Sequence, residues 1–449
     1  MLWCSAQTAD FVSLRLPGTR FKATCALYDL STSLMAERDP DNWRRTYSDF
    51  QLEHVSSQTP RPYSSAPHDT TATNEPSGTL DDVLTFTLLA VAVSGGEFKS
   101  DCLKWWSKAL RLAFTLGLNK EDEPSSPRTS QANPVLGSGG WPEPDSLQEI
   151  EAKEERRRVF WLLYCLDRHL SLSHNRALRI PDSACEIFVP LPETIWENLD
   201  KIGPEGLPNR IYGPLTIVTG TGFFEYFLPL MAILGDIIDV HRRRDHPRLG
   251  GLDESQTVAV IAGVLADCER SVAELAKQNE MGIYDILNKP VQNPNDPIQA
   301  ASPHPGAAPE DPEKRQSGRN NTRRLVVAYS THIIHVLYVL LYGKWDAIAM
   351  LDNEDDWITS SQFGECASHA ITASQAVSSI LSLDPELVFA PYLFGIYLLH
   401  GSFILLLFAD RMPQLGPNPS VEQACETLIR AHEVCVVTLS TEFQVCDKT

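Results

Sequence analysis

The sequence predicts an all-α protein, a large helical array of at least eight helices. Apolar residues recur at helical spacing in one segment after another, and capping signals precede several of these segments. No stretch alternates apolar and polar residues long enough to predict a sheet. The chain has 449 residues, of which 43% are hydrophobic, enough for one large core or two ordinary ones.

Two helices are predicted before residue 120. Thr79 and Asp82 have the spacing of a capping box and precede the apolar run from Val83 to Val93. In the next segment, apolar side chains fall on one face of a helix, and Gly117 suits the left-handed cap at its end. The apolar face consists of Leu103, Trp106, Leu110 and Phe114.

A third predicted helix begins at a capping box formed by Ser146 and Glu149. Glu154 precedes Arg157 and Arg158 by three and four residues, a spacing at which each ion pair contributes about 0.2–0.5 kcal/mol. The apolar stripe of this helix is predicted to be Val159, Leu162, Leu163, Leu166 and Leu170.

Further helices are predicted through the rest of the chain. The periodic segments are 223–240, 258–278, 324–342, 363–381 and 392–408. A last helix is predicted to begin at a capping box formed by Ser420 and Gln423 and to end near residue 438. Ser- and Pro-rich stretches at about 56–77 and 123–145 are predicted to be disordered inserts.

The charge balance argues against a general affinity for nucleic acid. The chain has 38 basic and 58 acidic residues, for a net charge of −20, and therefore repels phosphate backbones at long range. The basic cluster His241–Arg244 is interpreted as a solvated loop or helix end. None of the ten cysteines forms a C-x-x-C pair, so we expect buried thiols in a reducing compartment and no zinc or disulfide framework.

The sequence carries no motif for catalysis or for a cofactor. Phosphate-binding loops, a nucleophile elbow and a zinc-protease motif are all missing from it. His332 and His335 share a helical face, and we interpret them as core or inter-helix residues. Residues 389–409 are long and apolar enough to cross a membrane, but Pro391 and the polar residues within them favour a buried helix. We expect no enzyme, no bound metal or cofactor, and no membrane partner.

Residues 154–168 are more specific than helical packing requires. They read Glu-Glu-Arg-Arg-Arg-Val-Phe-Trp-Leu-Leu-Tyr-Cys-Leu-Asp-Arg. This segment resembles the hallmark helix of the fungal-specific transcription factor domain, the middle homology region of fungal zinc-cluster regulators. The hallmark residues are Arg156, Arg157, Arg158, Phe160, Trp161, Asp167 and Arg168.

The turn after this helix is also similar to the family pattern, through Asn175, Arg176 and Asp182. Asn175-Arg176-Ala177 stands where the family usually has Gly-Arg-Pro. Asparagine tolerates left-handed backbone geometry, so we expect the turn to be retained. Segment 113–118 is similar to the helix end that precedes the hallmark in the family. Segments 80–83, 103–106, 223–230 and 400–407 resemble the xylanolytic activators of this family in particular.

The resemblance implies a nuclear regulatory region of a transcriptional activator that controls genes for xylan and hemicellulose breakdown and pentose use. Such a regulator would bind DNA through a separate N-terminal cluster, in which six cysteines hold two zinc ions. That cluster is absent from this sequence, so we expect zinc only in a full-length family member and no specific DNA binding by this chain. Expected partners are the transcription machinery or co-regulators, with a homodimer and a sugar inducer as further candidates.

The resemblance also implies a domain organisation. We expect a regulatory domain over 1–287, a Pro-rich linker over 288–322, and a C-terminal helical regulatory region over 323–449 packed on the first. Two roles remain open for the hallmark helix. It is either a scaffold that ties helices together through ion pairs, with Phe160 and Trp161 as core anchors, or an element that holds the activator in a repressed, inducible state.

An alternative function is a helical pentose-binding receptor or an enzyme of unknown reaction. Sugar sites usually pair aromatic faces with carboxylates and amides. Four tryptophans lie near such groups in the sequence: Trp105, Trp106, Trp345 and Trp357.

Overall fold

The structure, a computed structural model, describes residues 2–8, 13, 18–36, 78–94, 99–121, 146–202, 206–244, 246–250, 252–277, 312–345, 357–389, 394–416 and 418–438. The regular elements in these ranges are helices, and an isolated β-bridge joins Lys120 to Glu186. The predicted all-α fold is confirmed. The predicted inserts at 56–77 and 123–145 lie outside the described residues.

Twelve α-helices occur in the described ranges. They are α1 (Leu2–Thr8), α2 (Thr19–Met35), α3 (Leu80–Ser94), α4 (Lys99–Thr115), α5 (Leu147–Ser173), α6 (Glu193–Trp196), α7 (Phe223–Arg244), α8 (Ser255–Lys277), α9 (Pro312–Tyr342), α10 (Ser361–Leu383), α11 (Phe394–Leu415) and α12 (Pro419–Thr438).

The chain divides into two compact units. The first comprises residues 1–163, 184–188 and 436–449, and the second comprises 164–183 and 189–435. The division falls within α5, between Leu163 and Tyr164, so the hallmark helix contributes its first part to one unit and its last part to the other.

In the first unit, the helix starts follow the predicted capping boxes. Thr79 donates its backbone N–H to Asp82 Oδ2 at 2.9 Å, and Asp82 returns an N–H to Thr79 Oγ1 at 3.3 Å. Ser146 and Glu149 make the same reciprocal pair at 2.9 and 3.4 Å. Each box satisfies two backbone donors that have no partner within the helix.

Helix α4 packs against α3 and ends at the predicted glycine. Gly117 has a φ of 65°, and the Leu118 N–H donates to the Ala113 carbonyl at 3.0 Å, which is the Schellman arrangement. The predicted apolar face of α4 is wrong at one position. Phe114 is 38% exposed because the core-facing side of the last turn is formed by Leu110 and Ala113.

The second unit contains the last part of α5, helices α6 to α11, and α12 as far as Cys435. A core of buried apolar side chains from α9, α10, α11 and α12 includes Tyr329, Val377, Leu398, Ile404 and Leu428. Helices α8 and α9 also pack against each other in this unit. The proposed boundary at residues 288–322 stays a prediction, since residues 278–311 lie outside the described ranges.

Two predicted boundaries need correction. Helix α9 begins at Pro312 and not at Arg324, the predicted start; proline is well suited to the first helical position because it has no N–H to satisfy. Helix α12 begins at Pro419, and its cap is Asn418, whose Oδ1 accepts from the Ser420 and Val421 N–H groups at 3.1 and 3.4 Å. Ser420, the predicted cap, therefore lies inside the helix.

One described helix is long and apolar enough to cross a membrane, and it is not the one the sequence pointed to. It is the segment Gly318–Tyr342 of α9, and 83% of its most apolar window is buried inside the protein. The predicted candidate, 389–409, corresponds to α11, which begins at Phe394 and has a shorter apolar part, Phe394–Asp410. A buried core helix has the same composition as a membrane span.

Candidate functional site

The first part of the hallmark helix is organised around Arg157. Its Nε donates to Glu121 Oε1 at 2.8 Å and its Nη2 donates to Glu121 Oε2 at 2.7 Å. Nη1 lies 3.5 Å from Glu154 Oε2, and Arg158 Nε lies 3.5 Å from the other oxygen of the same carboxylate. The predicted i,i+3 and i,i+4 pairs of Glu154 are thus confirmed, and Glu121 is an additional partner 36 residues away.

Burial and the neighbouring carboxylates shift the pKa of Arg157 in opposite directions. Burial disfavours the charged guanidinium, but Glu121 and Glu154 outweigh it, so the pKa of Arg157 is raised above its ordinary value. The Glu154 side chain is fully buried, that of Arg157 is 9% exposed and that of Glu121 is 21% exposed. These charges depend on one another, because an unpaired buried charge is strongly unfavourable.

A short segment at residues 184–188 is held against this helix. The Phe188 N–H donates to Glu121 Oε1 at 2.9 Å, and the Trp161 indole N–H donates to the Phe188 carbonyl at 2.8 Å. Backbone hydrogen bonds link Glu121 to Glu186 at 2.9 Å and Glu186 to Asn119 at 2.8 Å. The carboxylate of Glu121 therefore connects a helix to a loop as well as neutralising Arg157.

The other hallmark residues of this part have separate contacts. Arg156 Nη2 donates to the Leu116 carbonyl at 3.3 Å and to the Gly117 carbonyl at 3.5 Å, at the C-terminal end of α4. A cation there opposes the partial negative charge of the helix end. Phe160 and Trp161 are fully buried and meet edge to face, with ring centroids 5.5 Å apart.

The last part of the hallmark helix, in the second unit, is organised around Arg168, which is fully buried. Its Nη2 donates to Asp182 Oδ1 at 2.6 Å and its Nη1 donates to the Ile180 carbonyl at 2.7 Å. The guanidinium carbon lies 3.3 Å from the centre of the Tyr164 ring, and the Tyr164 hydroxyl donates to Asp182 Oδ1 at 2.7 Å. This arrangement supplies the buried cation with a counter-ion, a carbonyl and an aromatic face.

Asp167 holds the same turn from the neighbouring position. Its Oδ2 accepts backbone N–H groups from Arg179 and Ile180, each at 2.9 Å. Burial raises the pKa of Asp167, and the two N–H donors and nearby Arg168 limit that rise. Asp167, Arg168 and Asp182 together fix the segment 179–182 against the helix.

The turn that follows the hallmark helix α5 is a Schellman cap. Asn175 has a φ of 47°, in the left-handed region, and the Arg176 N–H donates to the Ser171 carbonyl at 2.9 Å. Asn175 occupies the position that favours glycine, so the expectation that asparagine retains the turn is confirmed.

A group of acidic residues surrounds Arg168. Reduced solvation raises the pKa of Asp236 to about 6, and the negative charges of Asp182 and Asp239 add to the rise, whereas Arg168 opposes it. Reduced solvation also raises the pKa of Asp239. Asp236 is nevertheless on an exposed position of α7, so solvent screens part of this effect.

The histidines predicted to lie in the core do so. His332 is fully buried and its Nδ1 lies 3.0 Å from the Ala373 carbonyl. His335 Nδ1 lies 2.8 Å from His369 Nδ1 on α10, and burial lowers the pKa of each of these three imidazoles to about 4. No set of three potential ligands suitable for a metal occurs among the residues that the structure describes.

The basic cluster at the end of α7 is only partly solvated. His241 is buried, and its Nε2 contacts the Leu340 carbonyl, while Arg244 pairs with Glu254 at 2.8 Å. The cluster is a helix end, as one of the two interpretations held. Its first and last residues serve packing within the second unit.

The four tryptophans of the sugar hypothesis fall into two groups. In the first unit, Trp106 is fully buried and Trp105 is nearly so, with its N–H donated to the Tyr28 hydroxyl at 2.8 Å. In the second unit, Trp345 packs on His241 and Trp357 lines an open cleft. The buried pair offers no open ring face for a ligand.

Sequence reasoning located the charged hallmark but missed its distant partners. Glu121 stands at the edge of a predicted insert, and nothing local distinguishes it from other surface carboxylates. Ile180 and Phe188 make their contacts through backbone carbonyls, which every residue type provides, so the sequence does not indicate these contacts. Tyr164 stands within the hallmark segment, four residues before Arg168, and this spacing could have indicated its contact.

Three of the cysteines that the structure describes are buried thiols with raised pKa values. Burial raises the pKa of Cys165, Cys268 and Cys366 to about 12, so these cysteines are neutral thiols at physiological pH. The geometry of the hallmark residues therefore fixes loops to a helix through ion pairs, and it presents no activated nucleophile.

Residues 82–239, which contain the hallmark helix, are similar to a known protein family. The family model described as "Fungal specific transcription factor domain" matches residues 82–239, which include the hallmark helix and its turn. This part of the chain is therefore similar to the fungal specific transcription factor domain. No solved structure matches the chain.

The resemblance extends well beyond that domain. The chain is 40% identical over 383 residues to the xylanolytic transcriptional activator of Emericella nidulans, which covers 82% of this chain and 42% of the relative. It is 35% identical to that of Aspergillus clavatus, over 99% of this chain and 48% of the relative, and 38% identical to that of Aspergillus niger, over 83% and 41%. The chain thus spans a little less than half the length of these curated relatives.

Proposed function

We propose that this chain is the regulatory part of a fungal transcriptional activator that controls genes for xylan and hemicellulose breakdown and for pentose use. The observation that carries this proposal is the similarity of 35–40% identity, over most of the chain, to proteins named as xylanolytic transcriptional activators. The fungal specific transcription factor domain at residues 82–239 agrees with it. The protein would act in the nucleus and would not be an enzyme.

DNA recognition would be provided by residues other than these. The sequence has a net charge of −20 and no C-x-x-C pair, which are both unfavourable for a DNA-reading zinc cluster within it. We therefore expect the isolated chain to bind no operator specifically. A zinc cluster elsewhere in a full-length family member would supply DNA binding, and this chain would contact co-regulators or the transcription machinery.

A fusion experiment tests the regulatory proposal. The chain is joined to a DNA-binding domain of unrelated specificity and expressed in a filamentous fungus with a matching reporter. We expect reporter transcription to rise when xylose or xylan replaces the carbon source, and to stay low with the DNA-binding domain alone. An expressed, folded fusion whose reporter responds equally on all carbon sources would contradict the proposal.

A gel-shift assay tests the DNA-binding part separately. The isolated chain is mixed at physiological salt with promoter DNA from xylanase genes and with a shuffled sequence of the same composition. We expect no difference between the two probes. A complex specific to the promoter DNA would show that these residues read DNA themselves.

A further inference from the structure

The second unit contains an open cleft of about 730 Å³, lined by both charged and apolar residues, that the hallmark residues do not touch. It lies where the end of α7, the start of α8, the end of α9 and the start of α10 meet. Arg244, Glu254, Tyr342, Lys344, Trp357 and Glu365 are among its lining residues. Its volume is within the range of clefts that bind small molecules.

One carboxylate oxygen at this cleft has no partner. Glu254 Oε2 accepts from Arg244 Nε at 2.8 Å, whereas Glu254 Oε1 is shielded from solvent and accepts no hydrogen bond. A shielded, unpaired carboxylate oxygen is unfavourable, and a donor that reaches it is correspondingly favourable. Because Glu254 lines the cleft, a ligand hydroxyl bound there could be that donor.

A second buried polar atom nearby is also unsatisfied. The indole N–H of Trp345, the residue after Lys344, is shielded from solvent and donates to nothing. Its ring packs on His241 with centroids 4.4 Å apart. Trp345 follows the lining residue Lys344 in the chain, whereas Glu254 Oε1 is an unpaired polar atom of a lining residue itself.

The charges of the cleft favour a neutral ligand. Arg244 and Lys344 provide two positive charges, and Glu254 and Glu365 provide two negative ones, so neither an anion nor a cation is attracted by a net charge. Lys344 Nζ lies 5.7 Å from the centre of the Trp357 ring, and this places an aromatic surface among the polar groups. Hydroxyl groups suit such a lining, since each one can donate to a carboxylate and accept from a cation.

We infer that this cleft binds a small, uncharged molecule with several hydroxyl groups, of the size of a monosaccharide or disaccharide. The Glu254 carboxylate accepts from a ligand hydroxyl, and Arg244, Lys344 and Gln362 provide the remaining polar contacts. That such a ligand regulates transcription rests on the proposed function, whereas the binding itself does not.

Calorimetry with the full 449-residue chain tests the inference. The probes are xylose, glucose, xylitol and xylobiose, with xylulose 5-phosphate and glutamate as charged comparators. We expect saturable binding of at least one neutral probe and weaker or no binding of the comparators. Silence from every neutral probe up to its solubility limit, or binding of a comparator alone, would overturn the inference.

Two variants place the binding in the cleft. Glu254→Gln replaces the unpaired acceptor by an isosteric amide, and we expect it to weaken binding about tenfold or more. Gln362→Ala changes an exposed lining residue of α10 and should weaken binding without loss of stability. Gln375→Ala, an equally exposed position of the same helix outside the cleft, is the matched control. Unchanged affinity in both cleft variants would overturn the assignment.

The readouts separate this inference from the proposed function. If no probe binds but the reporter fusion still responds to xylose, the ligand site is rejected and the proposed regulatory function stands. If a neutral probe binds but the fusion does not respond, the ligand site stands and the proposed regulatory function is rejected.

Discussion

Arg157 and Glu121 are joined by two parallel hydrogen bonds, Nε to Oε1 at 2.8 Å and Nη2 to Oε2 at 2.7 Å. The same Oε1 accepts the backbone N–H of Phe188 at 2.9 Å. The charged hallmark residues thus fix a loop segment to a helix in the first unit of the chain. This geometry favours a scaffold role for Arg157, and the regulatory role remains a hypothesis.

Arg157→Ala is expected to destabilise the protein by about 3 kcal/mol, because it removes the bidentate cation from Glu121 and one of the two arginines that face the buried Glu154 carboxylate. Chemical denaturation followed by circular dichroism measures the change. Arg156→Ala is the matched control on the preceding position, and it should cost only about 1 kcal/mol since it removes bonds to two carbonyls at a helix end.

Trp161→Ala is a second reference, and we expect a loss of about 3–5 kcal/mol from removal of a fully buried ring. If Arg157→Ala keeps wild-type stability but changes induction in the reporter fusion, the regulatory role of the helix would be supported and the scaffold role rejected.

The cap at Asn175 predicts a substitution series. Asn175→Gly should leave stability within about 0.5 kcal/mol of the wild type, because glycine adopts a φ of 47° at least as readily as asparagine. Asn175→Val should cost about 1–2 kcal/mol, since a β-branched residue is strained in the left-handed region. Thermal unfolding of the three proteins checks the order, and equal stability of all three would show that the cap does not matter.

Much of this fold follows from local sequence signals. Thr79, Ser146 and Gly117 were identified correctly because a capping box or a glycine cap depends on residues within one turn. Ser420 was misleading for the same reason: it has the right spacing to Gln423, but Asn418 followed by Pro419 gives a better cap two residues earlier. The bond from Arg157 to Glu121 spans 36 residues and depends on tertiary packing, so the spacing of the sequence could not reveal it.

Buried histidines predict how stability depends on acid. The pKa is lowered to about 4 for His241, His332, His335, His369 and His400, mainly by burial. Below pH 6.5 the unfolded chain therefore binds protons that the folded chain does not bind, and stability is lost as the pH falls from about 6.5 towards 4. Urea titrations at pH 7 and pH 5 should show a lower midpoint at pH 5.

A variant that lacks one of these histidines identifies the cause. His332→Gln removes one of these groups while retaining a polar side chain opposite the Ala373 carbonyl. The difference between the two midpoints should become smaller in this variant. A midpoint that does not change between pH 7 and pH 5 in the wild type would contradict the assignment of neutral, buried imidazoles.

Asp236 contributes to the pH dependence of stability in the opposite direction to the histidines. Its pKa is raised to about 6, so between about pH 4 and 6 the folded chain holds a proton that the unfolded chain releases, and this contribution to stability is lost as the pH rises through that window. Asp236→Asn should therefore be more stable than the wild type at pH 7, and the gain should vanish near pH 4.

Asp253→Asn provides the control for Asp236. The backbone N–H and hydroxyl of Ser255 donate to Asp253 and lower its pKa, so this variant should lose stability at pH 7. If Asp236→Asn also loses stability at pH 7, the assignment of a raised pKa to Asp236 is contradicted.

Transcript levels test most directly the proposed role of this chain in regulating transcription for xylan breakdown. The segment encoding residues 82–239 is deleted in the organism that encodes the chain, and xylanase and pentose-use transcripts are measured by RNA sequencing after a shift from glucose to xylan. We predict that induction of these transcripts is lost and that it returns when the segment is restored. Normal induction in the deletion strain would contradict the account.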